Sequence, residues 1–128
     1  MSRIVLDASA LLAVLNKEPG ADKLTPELLS MAVASTVNLA EVQGKLVGQG
    51  LSDDDAWEAT LSLIREAVPF TADHAKLTGA LISQTRALGL SLGDRACLAL
   101  GLAIKTPVYT ADKLWKSLKL GIRIHSIR

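Results

Sequence analysis

Ile4-Val5-Leu6-Asp7-Ala8-Ser9-Ala10 sets three consecutive apolar residues directly before a carboxylate and a small hydroxyl. So short an apolar run, with no polar alternation, reads as a strand buried on both faces, the kind found in parallel sheets. Asp7 then falls at the carboxyl end of the strand, and Ser9 is a cap for a helix over about 10–16. The same strand-then-helix unit recurs downstream. Pro19-Gly20 closes the first helix, and a second helix is expected over 21–30. Met31-Ala32-Val33-Ala34 reads as the second strand, and Ser35 or Thr36 caps a helix that ends at Gly48-Gln49-Gly50.

The second half continues the pattern. Ser52 opens a helix whose first turn, Asp53-Asp54-Asp55, suits the positive end of the helix dipole. Ala67-Val68-Pro69-Phe70 reads as a short strand, placed at a sheet edge by its proline. Thr71 caps a long helix to about Leu88, ended by Gly89, and a further helix runs from about Ser91 to Ile104. Pro107-Val108-Tyr109-Thr110 is another strand, a short helix carries Leu114 and Trp115, and Ile122-Arg123-Ile124 is the last strand. Strands alternating with helices predict an α/β fold, one domain over 1–128, with a central, mostly parallel sheet of about five strands.

Composition narrows the function. Of 128 residues, 49% are hydrophobic and 3% aromatic, so the core is aliphatic and an apolar surface patch for a partner is expected. Residues 1–64 hold 4 basic and 9 acidic side chains, and residues 65–128 hold 10 basic and 4 acidic, which makes the second half the one suited to phosphate backbones. Cys97 is the single cysteine and lies in an apolar run, so it reads as a buried thiol and no internal disulfide is possible. No signal-like leader and no apolar run of membrane-spanning length occurs, which points to the cytoplasm. His74 and His125 have no cysteine or second histidine at zinc-site spacing. Glycine-rich nucleotide loops are absent.

Four carboxylates remain in apolar or small-residue settings, where an unpaired charge is expensive: Asp7, Glu41, Asp94 and Asp112. In open α/β sheets, ligands bind beyond the carboxyl ends of the strands. Asp7 and Asp112 follow strands, while Glu41 and Asp94 sit in first turns of helices, so all four reach one sheet edge. Taken singly, Asp7 and Asp112 also read as turn or cap residues, Glu41 as a solvated helix position, and Asp94 as the partner of Ser91 in a capping box. Taken together, they suit a hard cation such as Mg²⁺, which prefers oxygen ligands and supports phosphodiester hydrolysis. Ser9 and Thr110 are hydroxyls beside Asp7 and Asp112. Asn38 lies one helical turn before Glu41. Gly93 permits close backbone approach, and Arg95 either reaches a phosphate or pairs with Asp94.

At these phrases the chain resembles the PIN-domain ribonucleases, most closely the VapC toxins of bacterial toxin–antitoxin modules. The resemblance rests on Val5-Leu6-Asp7-Ala8-Ser9-Ala10, Asn38-Leu39-Ala40-Glu41-Val42, Ser91-Leu92-Gly93-Asp94-Arg95 and Thr110-Ala111-Asp112 with Trp115. It implies a three-layer α/β/α fold and an acidic cluster of Asp7, Glu41, Asp94 and Asp112 holding Mg²⁺ or Mn²⁺. It also implies endonucleolytic cleavage of RNA, with transfer or ribosomal RNA as the substrate and translation as the process inhibited. A small cognate antitoxin and a homodimer are the implied partners, with no membrane and no DNA bound by the chain itself. Two other readings fit the same length and class: a PIN nuclease of RNA maturation, and a non-catalytic α/β signalling or interaction domain. A phosphoacceptor receiver domain needs an acidic pair after strand one, where this chain has Asp7 alone.

Overall fold

Alternation along very short strands divides the core into two layers. The structure, a computed structural model, describes residues 2–128. Its strands are β1 (Ile4–Leu6), β2 (Ala32–Ser35), β3 (Glu66–Val68), β4 (Val108–Thr110) and β5 (Ile124–Ser126). They form one sheet in the order β3-β2-β1-β4-β5, and every pairing is parallel. Ile4, Leu6, Ala32 and Ala34 join one core, while Val5, Val33 and Val108 join the other, as the two-residue period of a strand requires.

Each face is covered by helices. Helices α1 (Ala8–Leu15), α2 (Pro26–Leu29), α3 (Thr36–Gly48) and α4 (Asp53–Ser62) serve the first core through Leu11, Leu39, Val42, Leu46 and Ala56. Helices α5 (Ala72–Ala80), α6 (Ile82–Thr85) and α7 (Leu92–Ala103), with a 3-10 helix at Lys113–Ser117, serve the second through Leu81, Leu98, Leu100 and Trp115. Helices on both faces of a parallel sheet make three layers, as expected. Cys97 is buried within the second core. Among the described residues no helix is long and apolar enough to cross a membrane.

Four local expectations are corrected. The cap of α1 is Asp7, whose carboxylate accepts from the Ala10 amide, and not Ser9. The helix expected over 21–30 is a 3-10 turn at Ala21–Lys23 followed by α2. Pro26 disfavours helical backbone at Thr25, which is extended and caps α2 through the Leu28 amide. The long helix to Leu88 divides into α5, α6 and a 3-10 turn at Arg86–Leu88. There the Thr85 hydroxyl donates back to the Leu81 carbonyl at 2.8 Å, a bond that bends helices. The last strand begins at Ile124, not Ile122, because Val108 already takes the Arg123 carbonyl and pairs with Ile124; Ile122 packs into the core ahead of it. Pro69 falls just beyond β3, which is an edge strand as expected.

Gly101 sets how closely α7 approaches the sheet. A Cβ there would lie 2.6 Å from Val108 Cγ2 and 3.0 Å from Ile122 Cδ1, both in the second core. Gly101→Ala should therefore destabilise the protein by about 1–3 kcal/mol through overpacking, despite alanine's better helix propensity. Urea denaturation measures this, and an unchanged midpoint would show that the layers are free to separate.

Candidate active site

The strand order reverses direction of growth between β1 and β4, and open α/β sheets place their ligand crevice at such a point. Asp7 ends β1 and Thr110 ends β4 at this crevice. Asp7 is 3% exposed. Its carboxylate accepts from the Ala10 amide at 2.8 Å, from the Ser9 hydroxyl at 2.8 Å and from the Thr110 hydroxyl at 2.7 Å. The Ala111 amide donates to Ser9 Oγ at 2.9 Å, and the Asp112 amide donates to Thr110 Oγ1 at 3.0 Å. Two relays thus run from the backbone after β4, through one hydroxyl each, to Asp7. Each hydroxyl has a single proton, so both are committed to the carboxylate.

No cation balances this group. Among the described residues the ion pairs are Arg3 with Glu66 and Arg128 with Glu18, and neither involves a candidate acid. Burial pushes the Asp7 pKa up to about 6, against the opposing bonds from Thr110, Ala10 and Ser9, and the charge of Asp94 adds to the rise. Burial also raises the Cys97 thiol, helped by the negative charges of Asp7, Asp94 and Glu41. Asp7, Asp94 and Glu41 thus all add negative potential at Cys97.

Glu41 projects from α3 toward the start of α7. Asn38, one turn earlier and 1% exposed, donates from Nδ2 to Glu41 Oε1 at 2.9 Å and to the Gly93 carbonyl at 3.0 Å. The Glu41 carboxylate fills the space where a side chain on Gly93 would stand, 2.6 Å or less from the position of a Cβ. Asp94 completes the capping box of α7: Ser91 donates its amide to Asp94 Oδ2 at 3.0 Å, and the Asp94 amide donates to Ser91 Oγ at 3.1 Å. Asp112 caps the 3-10 helix by accepting from the Leu114 amide at 2.9 Å. Three of the four acids therefore serve as helix-start groups.

Arg95 faces elsewhere. Its Nη1 donates to the Thr78 carbonyl of α5 at 3.0 Å, and it makes no ion pair with Asp94. Residues not singled out from sequence lie beside the site. A groove of about 490 Å³ is lined by Ser9, Ala111, Asp112, Lys113, Leu114 and Arg128. Lys113 was legible as the neighbour of Asp112. Arg128 was not, because β5 and the Ile127 amide bond to the Thr110 carbonyl carry it there from the chain end.

The donor set is all oxygen, with no sulfur or imidazole, which matches a hard divalent cation. Among the described residues no group of three His, Cys, Asp or Glu side chains converges closely enough to hold a metal ion. The expected four-carboxylate cage is thus not closed. Mg²⁺ keeps several waters and commonly takes only one or two carboxylates, so the residues present fit such an ion.

Comparisons with known proteins agree with this fold. A family model described as the PIN domain matches residues 4–119. No curated protein matches the sequence at a significant level. Among solved structures, a toxin–antitoxin complex from Klebsiella pneumoniae is similar, with a TM-score of 0.75 at 15% identity over 98% of each chain. DNA-bound VapBC from Salmonella typhimurium gives 0.74 at 17% identity over 100% of each chain. VapC20 of Mycobacterium tuberculosis, a sarcin–ricin loop cleaving toxin, gives 0.72 at 17% identity over 94% of this chain and 98% of that one. At these identities the likeness is one of fold.

The state of Asp7 has a measurable sign. Its pKa in the folded chain, about 6, lies above its ordinary 3.8, so between these values the folded state holds a proton that the unfolded state has lost. Stability from this group is greatest below the lower value and falls as pH rises to the upper one, by roughly 3 kcal/mol in all. In a chelator, wild-type protein should lose denaturant resistance between pH 4 and pH 6.5 relative to Asp7→Asn. Parallel pH profiles for the two would refute the uncompensated burial of Asp7.

Proposed function

The chain belongs to the PIN-domain family, and from that premise we propose that it is a metal-dependent endoribonuclease and the toxin of a toxin–antitoxin pair. The observation that carries this is the buried Asp7 carboxylate, its pKa raised by burial and by the charge of Asp94, with no cation of the protein paired to it. Such a site favours binding of an external cation.

In this reading one or two of Asp7, Asp94 and Glu41 hold Mg²⁺ or Mn²⁺ directly and the rest reach it through its waters, while Asp112 lies at the rim. The bound ion would supply Lewis acidity toward a phosphate oxygen and toward water. Ser9 and Thr110 keep Asp7 oriented, since each gives its proton to that carboxylate. Asp94 keeps Oδ1 clear of protein donors while Oδ2 caps α7. Lys113 and Arg128 line the adjoining groove and are placed to meet the RNA backbone. With only 3% aromatic residues, recognition by backbone charge and RNA shape is favoured over base stacking. Transfer or ribosomal RNA is the proposed substrate class, and the cytoplasm the place of action.

The partner reading rests on a surface. Val47, Leu51, Trp57 and Leu61 are exposed at the end of α3, in the loop after it and along α4, and Asp53, Asp54, Asp55 and Glu58 are exposed on the same α4. A small antitoxin with an apolar helix and a basic tail matches both features. The homodimer belongs to the same proposal.

Two experiments test this reading. In Mn²⁺, the wild-type protein should cut RNA from a total cellular preparation at defined positions. Asp7→Asn and Asp94→Asn should lose activity by about 10³-fold or more while staying folded, because an amide keeps the shape and loses the charge. Asp53→Asn, in the cap of α4, should remain active; equal inactivity of that variant would refute the assignment. Growth arrest on induction separates a toxin from a maturation enzyme. For the partner, calorimetry of the co-expressed antitoxin at matched ionic strength should show weaker binding as Mn²⁺ rises. Equal affinities would exclude competition for the acidic site.

A further inference from the structure

We propose that Gly93 and Asn38 form a seat for the Glu41 carboxylate, and that this seat sets the affinity of the acidic site for a divalent cation. The inference rests on the reading of the site given above and assigns the two residues as positioning residues.

Glu41 is an exposed helix residue, and on its own such a side chain samples several rotamers. Here it is held. Its carboxylate lies over the backbone of Gly93, and Asn38 Nδ2 bridges Glu41 Oε1 and the Gly93 carbonyl at 2.9 and 3.0 Å. Both bridged groups are acceptors only, so the amide has one workable orientation, with its nitrogen between them. The consequence falls on the other end of Asn38. Its Oδ1 is buried and has no hydrogen-bond partner. An unmet buried acceptor is destabilising, so the arrangement is not explained by stability alone. It is explained if what matters is the donor: asparagine holds a carboxylate that an aspartate at the same position would repel.

Gly93 supplies the space. Among the helical glycines, Gly44, Gly48 and Gly79 have nothing within 4 Å of a Cβ position, whereas the Gly93 position is filled by all three atoms of the Glu41 carboxyl group. The obstructing atoms end a flexible side chain. Gly93→Ala should therefore fold normally, gain helix propensity, and push the Glu41 carboxylate away from Asp7 and Asp94.

The test compares wild-type, Gly93→Ala, Asn38→Ala and, as a generic glycine-to-alanine control, Gly79→Ala. Mn²⁺ affinity is read by calorimetry and metal-free stability by thermal melting. Gly93→Ala should keep or raise its melting temperature yet lose Mn²⁺ affinity by roughly tenfold or more, and Asn38→Ala should lose affinity in the same range. Cleavage by both should need more Mn²⁺ for half-maximal rate, with KM for RNA unchanged at saturating Mn²⁺. Added to Glu41→Gln, Gly93→Ala should cause no further loss, since both act through one carboxylate. Wild-type Mn²⁺ affinity in Gly93→Ala, or additivity with Glu41→Gln, overturns this inference alone. A wild-type protein that takes up no Mn²⁺ overturns the reading of the site as well.

Discussion

A buried carboxylate with hydrogen bonds but no counter-charge is the constraint around which this molecule is arranged. Asp7 ends the central strand of the sheet, caps α1, and receives the protons of Ser9 and Thr110. These contacts tie β1 and α1 to β4 and to the residues that follow it. Removing the charge would relieve the folded state but would leave the crevice without its main anion. On the proposed reading, the interior here favours binding at the expense of folding, as is common where a local rule of stability is broken.

Three of the four acids have a helix-start job beside the one proposed for them, and the fold explains why. In a parallel sheet each strand ends where the next helix begins, so the carboxyl edge is also a row of helix N-termini. A carboxylate suits a helix start for reasons of hydrogen bonding and dipole. Asp7, Asp94 and Asp112 are placed by that local rule. The structural and functional readings of these residues are therefore not rivals. Capping brings the carboxylates to one edge, beside the crevice between β1 and β4 where the proposed function would use them.

Much of this was legible in the chain. The apolar triplet before Asp7 marked the central strand, and alternation with helices marked the class of fold. Pro69 marked the edge, and Ser52 and Ser91 marked helix starts. What escaped depended on long-range contacts. Ile122 and Ile124 are both apolar and alternate correctly, so only pairing with β4 decides where β5 begins. Thr85 looked like any helical residue until its hydroxyl turned to Leu81. Arg95 seemed suited to the site, but the crossing of α5 over α7 offered it the Thr78 carbonyl. Arg128 gained a place in the groove only through the path of the last strand. Local rules decide caps and breaks; packing decides where long side chains go.

The burial of Asp7 also bears on how such a chain changes over generations. Most substitutions in a core are removed by selection because the variant folds poorly. On the proposed reading, replacement of Asp7 by its amide would escape that filter, because it removes an uncompensated buried charge rather than a packed side chain. If Asp7 carries the proposed activity, the charge term in the chain's own thermodynamics would not guard the position, and drift toward a neutral residue would run downhill. Retention of the carboxylate in a lineage would have to be enforced from outside the molecule, by whatever benefit the organism draws from the activity.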